Sequence, residues 1–436
     1  MMGFPQFSIQ HLENKILCTA NSDNTPGSMV SNEKEYAGPS LVIVRSYTRK
    51  LGAKGDECQM IKESDRVVVR GLRDVAAAET RISYVDFNGF LYYLGYNIDD
   101  LVGRVTYAEV AYLLVHKRLP TQRELDNFRS ELVSDMKLPD PIVDSIKRTP
   151  KHCHPMHILR TEVSRLAEYD PEGNDFSEAA NLRRAARLIA QVPVIVAAIH
   201  RSRLNETVPE PKSEFGFSEN YLYMFKGAVP DESETNVLHR YMALHADHGF
   251  NASTFAARVT ASTNSDMYSA VTSAIGTLKG PLHGGASEKV MEMLDDINLE
   301  EEVEEYIHGL LDDQKKIMGF GHRVYRAQDP RTKHLREMVE DLSHRDRTLD
   351  LYNKCIKIEK IVYSRRKIYP NVDFYAAVAM DALGIPKEFF TPFFASSRIS
   401  GWVAHVIEQY EDAVLLRPAS KYVGEFNRPF VSIENR

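Results

Sequence analysis

Cysteine is rare in this chain, with four residues (Cys18, Cys58, Cys153 and Cys355) scattered over 436 and none in C-x-x-C spacing. A disulfide framework is excluded at that density, and a reducing, cytoplasmic setting is the expectation. Long apolar runs are lacking too. The stretch from Leu188 to Ile199 contains Gln191 and falls well short of the ~20 residues a membrane-spanning helix needs. The opening MMGFPQFSIQHLENKILC has no basic segment followed by an apolar one, so no signal peptide is expected. Positive charge is not in excess. The 54 Lys+Arg and 61 Asp+Glu leave −7, which gives no general attraction for nucleic acid or an anionic membrane. No Ser or Cys sits in a G-x-S-x-G elbow, H-E-x-x-H is absent, and no strand precedes the one short G-F-G. Serine-triad chemistry, a zinc hydrolase and a dinucleotide-binding fold are therefore unsupported, and no metal is expected.

What is present is an ordinary folded composition, 43% apolar and 26% charged, in a chain long enough for two or three domains. Residues 20–34 are polar with Pro and Gly and read as a linker or loose arm. The Val run in RVVVRGL, the Asn88-Gly89 turn and the aromatic stretch Phe90 to Tyr96 predict a few short strands or a hairpin. Beyond residue 98 the periodicity is helical. Thr106 with Glu109 three later opens a helix over 106–118, and TQRE opens another over 121–136. Residues 177–204 predict one long helix, kinked or interrupted at Pro193, and 232–247 and 252–278 predict two more. Nine acids between Asp295 and Asp313 leave Leu299, Val303, Tyr306, Ile307 and Leu310 on one side, the pattern of a solvated helix face. Helices are also expected over 333–368 and 372–384, the latter stopped by Gly384 and Pro386, before an irregular tail from 418. The class is all-α with a minor β element near the front.

Three segments place polar groups beside glycines or helix ends: LHADHGFNAS, LKGPLHGGAS and KIMGFGHRVYRAQDPR. His245 and His248 share H-x-x-H spacing, and a packed, hydrogen-bonded core histidine is the plain reading of His245. His283 follows a helix-stopping Pro281 and precedes Gly284-Gly285. It is either part of a turn or a neutral imidazole donating to an oxygen that develops negative charge. His322 lies between Gly321 and Arg323, and Arg326 and Arg331 with Asp329 nearby suggest an anion or phosphate site. Asp373, a lone acid ahead of an apolar helix, is either an N-cap or a general base in a partly desolvated pocket. Arg398 and Arg417 flank the helix GWVAHVIEQY and suit carboxylate recognition, with surface ion pairs as the alternative. Together these groups fit proton abstraction next to a carbonyl on a multiply anionic substrate.

Over roughly residues 66–425, the ordered blocks LHADHGFNASTFAARVTAST, GTLKGPLHGGASEKVMEML, IMGFGHRVYRAQDPR and FFASSRISGWVAHVIEQ resemble the citrate synthase family. The likeness is to its shorter bacterial type, which includes 2-methylcitrate synthases. The resemblance implies a two-domain helical homodimer. Residues 66–284 and 385–436 would form a large domain, 285–384 a small one, and 1–65 an N-terminal arm. It implies that Asp373 removes a methyl proton from acetyl-CoA, that His283 binds the thioester oxygen, and that His322 polarises the oxaloacetate ketone. His248, Arg331 and Arg398 would hold oxaloacetate carboxylates, and Arg417 would reach the partner subunit's site. Gly319, Phe320, Gly321 and Arg326 resemble the CoA-binding region. No cofactor would be resident, CoA entering and leaving as a co-substrate. Two departures stand out. Relatives usually have an acid after the equivalent of His248, where this chain has Gly249, and an arginine where it has Leu94. The first could loosen His248. The expected activity is citrate synthesis, with propionyl-CoA-dependent 2-methylcitrate synthesis as the alternative, and a weakly active regulatory or assembly relative as another.

Overall fold

The computed structural model describes residues 67–72, 75–322 and 324–436, so the expected N-terminal arm, Cys18 and Cys58 lie outside the described residues. The Val run does not form a strand. Val67 and Val68 are exposed and lead into a short 3-10 turn at Arg70–Leu72, and among the described residues no strand pairs with their backbone. The sheet begins later, with β1 (Ser83–Asp86), β2 (Phe90–Tyr93) and β3 (Tyr96–Asn97) antiparallel in that order. Ser83 pairs with Tyr93 and Asp86 with Phe90, the Asn88-Gly89 turn closing the hairpin as expected. Alternation sends Leu91 and Tyr93 into the core and leaves Tyr84, Phe90 and Tyr96 outside. Leu94 occupies the left-handed region (φ 47) in the turn before β3, its backbone N–H donating to Ile82 O at 2.9 Å.

The remainder is helical. After the short α1 (Ile98–Leu101) come α2 (Tyr107–His116), α3 (Gln122–Asp135), α4 (Asp140–Arg148) and α5 (Pro155–Leu166). Thr106 with Glu109, and Thr121 with Glu124, form reciprocal capping boxes, so two of these starts were set by four-residue signals. Next, α6 (Glu178–Arg203) runs unbroken through Pro193, held by burial along most of its length. It is followed by α7 (Phe217–Lys226) and α8 (Glu232–His245). The helix expected over 252–278 is two: α9 (Ala252–Ala261) and α10 (Met267–Leu278). Asn264 takes a left-handed conformation (φ 58) and Asp266 caps the new start by accepting the Ser269 N–H, so local turn chemistry overrode the continuous small-residue pattern.

Then come α11 (Ala286–Asp295), α12 (Val303–Asp312), α13 (Pro330–Asp341), α14 (Asp346–Arg366) and α15 (Val372–Ala382). Here α11 and α13 pack on α15, and α14 packs on α12 and α15. In the acidic stretch Val303 and Ile307 are buried, but Leu299 is exposed because it precedes the helix instead of lying on its inner face. The last helix, α16 (Phe390–Asp412), is buried from Phe390 through Gln409 and packs against α2, α6, α8, α9 and α10. Each large apolar side chain it buries contributes ~1.5–3 kcal/mol, which makes this helix the axis of the core. A Cβ at Gly401 would fall 2.3 Å from Ala246 O and 2.5 Å from Asp247 Oδ1, so glycine is what lets α16 touch the loop after α8. Residues 413–436 are irregular apart from a 3-10 turn at Ile433–Asn435. Among the described residues, no helix is long and apolar enough to cross a membrane, and no cluster of His, Cys, Asp and Glu could hold a metal ion.

Candidate active site

Three loops and two helix ends converge. The first loop links α8 to α9. His245, the last residue of α8, donates from Nδ1 to Tyr241 O at 2.8 Å and stacks on the Tyr241 ring. Burial, reinforced by Arg331, pushes its imidazole down to about 3, so it is the neutral core histidine the spacing suggested. Asp247 is buried under α16. Burial alone would raise its carboxyl, but His405, Arg398 and the Ser83 hydroxyl hold it below the usual range. The helix expected over 232–247 ends at His245, so His248 sits three residues beyond it, its Nε2 2.9 Å from the Tyr325 hydroxyl. Burial and the Arg331 charge keep it well below an ordinary histidine. Gly249 holds a left-handed backbone (φ 57), its N–H donating to Asp247 Oδ2 and Ser83 Oγ, both at 2.9 Å. A side chain there would be strained. The loss of an acid at 249 does not leave His248 unanchored, because Tyr325 holds it.

The second loop links α10 to α11 and carries His283, half-buried, with Nε2 2.9 Å from Ser253 Oγ and 3.4 Å from the Ser253 N–H. Accepting that N–H leaves the ring proton on Nδ1. Burial, with Arg398 adding, lowers this histidine to about 4. The third loop precedes α13. His322 Nδ1 accepts the N–H groups of Val324 (3.0 Å) and Tyr325 (3.1 Å), which puts its proton on Nε2. Burial and Arg331 lower it to about 4 as well. Its ring centroid lies 5.4 Å from that of His248 and 4.5 Å from that of Tyr325. The site therefore holds neutral imidazoles with defined N–H donors.

Asn371, not Asp373, caps α15, accepting the Asp373 N–H at 3.0 Å. This disposes of the N-cap alternative. Asp373 is half-buried in the first turn and accepts from Ser287 Oγ at 2.7 Å. Burial raises its carboxyl above the ordinary value, against the opposing pull of Ser287, Arg331 and Arg398. Arg331 is buried and binds Asp329 through two bonds, Nε to Oδ1 at 2.9 Å and Nη2 to Oδ2 at 2.7 Å. Arg398 does not flank a helix as expected, since α16 begins eight residues before it. Its Nε donates to His245 O at 2.6 Å, and among the described residues no carboxylate lies within salt-bridge distance. Burial lowers its guanidinium to about 10.

Gly319, Phe320 and Gly321 are tied to the segment before α15. Asn371 N–H donates to Gly319 O (2.8 Å), Gly321 N–H to Tyr369 O (3.0 Å), and Asn371 Nδ2 to Gly321 O (2.9 Å). That pairing draws His322 towards Asp373. Arg326 is exposed, its guanidinium 5.7 Å from the Phe87 ring, and Arg417 is exposed on the tail. The four arginines do not form one cluster within the chain, as Arg331 and Arg398 alone are buried at the site. Sequence reasoning passed over Tyr325, Ser253 and Ser287, which touch His248, His283 and Asp373. The signals available were faint: each stands within four residues of a highlighted polar residue.

The family model for "Citrate synthase, C-terminal domain" matches residues 71–419. Citrate synthase 2 of Bacillus subtilis is 45% identical over 84% of this chain and 99% of its own length. The 2-methylcitrate synthase of Shewanella oneidensis is 38% identical over 86% and 100%. The ternary complex of carboxymethyl coenzyme A and oxaloacetate with citrate synthase from the archaeon Thermoplasma acidophilum superposes with a TM-score of 0.80. It is 31% identical, covering 84% of this chain and 99% of that one. The chain belongs to the citrate synthase family. Citrate synthases are acyltransferases that condense an acyl-CoA with oxaloacetate, and they need no resident cofactor. The mostly helical fold with a small front sheet is that of the citrate synthase family.

Proposed function

We propose that this chain condenses acetyl-CoA with oxaloacetate and water to give citrate and CoA, feeding the tricarboxylic acid cycle. The observation that carries the reading is the grouping of half-buried Asp373, His283 and His322 around buried Arg331 and Arg398, the latter with no carboxylate within salt-bridge distance among the described residues. Asp373 takes a methyl proton from acetyl-CoA. His283 donates from Nδ1 to the thioester oxygen as the enolate forms. The enolate carbon attacks the ketone carbon of oxaloacetate, and His322 gives its Nε2 proton to the ketone oxygen, which becomes the hydroxyl. Water then cleaves the thioester of citryl-CoA, its oxygen bonding to the acyl carbon and a proton going to the departing CoA sulfur, while the proton on Asp373 returns through solvent to His322. Arg398, Arg331 and His248 hold the oxaloacetate carboxylates, guanidinium forks matching fixed planar anions. Gly319, Phe320, Gly321 and Arg326 contribute to CoA binding.

We further infer a cytoplasmic homodimer in which Arg417, exposed on its own chain, reaches the partner's site. Residues 285–384 would close as a small domain on 66–284 and 385–436, shedding water from the cleft. A second reading, condensation of propionyl-CoA to 2-methylcitrate, is favoured by the relative of that name matching the chain over its whole length. The two substrates differ by one methylene, worth ~1–3 kcal/mol in an apolar pocket. The test is thiol release from acetyl-CoA and from propionyl-CoA with oxaloacetate. A larger kcat/KM with acetyl-CoA is expected. The reverse would install the second reading, and no release with either would end both.

A further inference from the structure

Ser287 stands four residues after His283, in the first turn of α11, and is buried. A serine so placed could have served the free N–H groups of its own helix, since the N-cap, Gly285, has no side chain to do so. Instead its hydroxyl crosses to α15 and meets Asp373 Oδ1 at 2.7 Å, the one side-chain hydrogen bond to this carboxylate among the described residues. A hydroxyl has a single proton, so this bond commits it.

We propose that Ser287 is a positioning residue for the general base, occupying Oδ1 of Asp373 so that Oδ2 is the oxygen that receives the substrate proton. The proposal rests on Asp373 being that base. Two consequences follow from the geometry. One segment, His283 to Ser287, carries both the donor for the thioester oxygen and the partner of the base. The spacing between proton acceptor and oxyanion donor is therefore set within five residues instead of across separate elements. The bond also opposes the effect of burial, favouring the charged carboxylate in a place that disfavours charge. The other groups that act on Asp373 are Arg331 on α13, Asp329 just before it, Arg398 on α16 and the Tyr241 phenol on α8. None of them donates a hydrogen bond to it among the described residues, so none can fix its rotation.

The test compares the full-length wild-type enzyme with Ser287→Ala, Ser287→Thr and Asp373→Ala. It follows thiol release across pH, with the KM for oxaloacetate and the melting temperature measured in parallel. Ser287→Ala is expected to lower kcat about tenfold to a hundredfold, the scale of one hydrogen bond to a charged group. KM for oxaloacetate and the melting temperature should stay close to wild type. Because the base must be deprotonated to act, losing a donor that stabilises the carboxylate should move the acid limb of the kcat profile to higher pH. Ser287→Thr, which keeps the hydroxyl, should recover most of the rate and the wild-type limb. An unshifted limb in Ser287→Ala with kcat near wild type would overturn the proposal. So would equal impairment in the alanine and threonine variants, or a loss matched by a fall in melting temperature. An intact Ser287→Ala beside an inactive Asp373→Ala sinks the Ser287 role alone, whereas an Asp373→Ala that keeps its rate sinks the base assignment beneath it.

Discussion

Arg258 on α9 and Arg398 on α16 are both almost fully buried, and each guanidinium lies 4.8 Å from the centroid of a phenylalanine ring, Phe250 and Phe394 respectively. Their polar surroundings are opposite. Arg258 donates from Nε to Gln409 (2.8 Å), from Nη1 to Glu408 (2.5 Å) and from Nη2 to Asp412 (3.1 Å). Arg398 spends its Nε on a backbone carbonyl and, among the described residues, has no carboxylate within salt-bridge distance, Asp247 acting on it only from farther away. A buried cation with its counter-charges in place is part of the scaffold, and removing it strands the anions. A buried cation without them is costly to keep, and the cost is offset when an anion arrives. The contrast separates the fold's charge from the site's charge in a way that burial alone does not.

The largest effect expected within the site comes from its base. Asp373→Ala should cut turnover by three or more orders of magnitude, since it removes the base of the proposed mechanism. Oxaloacetate binding, followed by isothermal titration, should persist and could tighten, because a negative group facing Arg331 and Arg398 has gone. Near-normal turnover, or loss of oxaloacetate binding in a folded variant, would place Asp373 with the scaffold.

The two arginines themselves give the next test. Arg398→Leu should raise the KM for oxaloacetate by about a hundredfold, one buried charge-assisted contact, while leaving the denaturation midpoint unchanged or higher. Arg258→Leu should do the reverse, costing about 3–5 kcal/mol in urea unfolding because buried Glu408 loses its guanidinium partner, with little change in KM. Equal stability losses in both variants would erase the distinction.

How far this was legible in the sequence follows the range of the interactions. Capping boxes at Thr106 and Thr121 and the Asn88-Gly89 turn act within four residues, and they appear where expected. The histidines, Asp373 and Arg398 stood out because glycines and helix ends surround them or because the blocks resemble a family. The supporting groups did not. Ser253 meets His283 across 30 residues, Tyr325 meets His248 across 77, and Ser287 meets Asp373 across 86. Periodicity carries no trace of such pairings. It also misjudged Val67–Val69, β-prone by residue type but given no partner strand, and it ran α9 and α10 together because small residues continue through the turn at Asn264.

Tyr325 provides the smallest and most selective perturbation of the site side of the comparison. Its hydroxyl meets His248 Nε2 at 2.9 Å, and its backbone N–H donates to His322 Nδ1 at 3.1 Å. Burial raises the phenol well above its ordinary range, and its contact with Nε2 couples the phenol proton to the tautomer of His248: when the hydroxyl donates, that ring's proton is on Nδ1. Tyr325→Phe removes the hydroxyl and keeps the ring, the backbone bond to His322 and every charge. It should release the tautomer of His248 alone, visible as a shift of one imidazole in nitrogen NMR. The cost should be a few-fold rise in KM for oxaloacetate, about one neutral hydrogen bond, with kcat nearly unchanged. A fall in kcat without a change in KM would mean that the hydroxyl's hold on His248 serves the chemical step and not the binding of oxaloacetate.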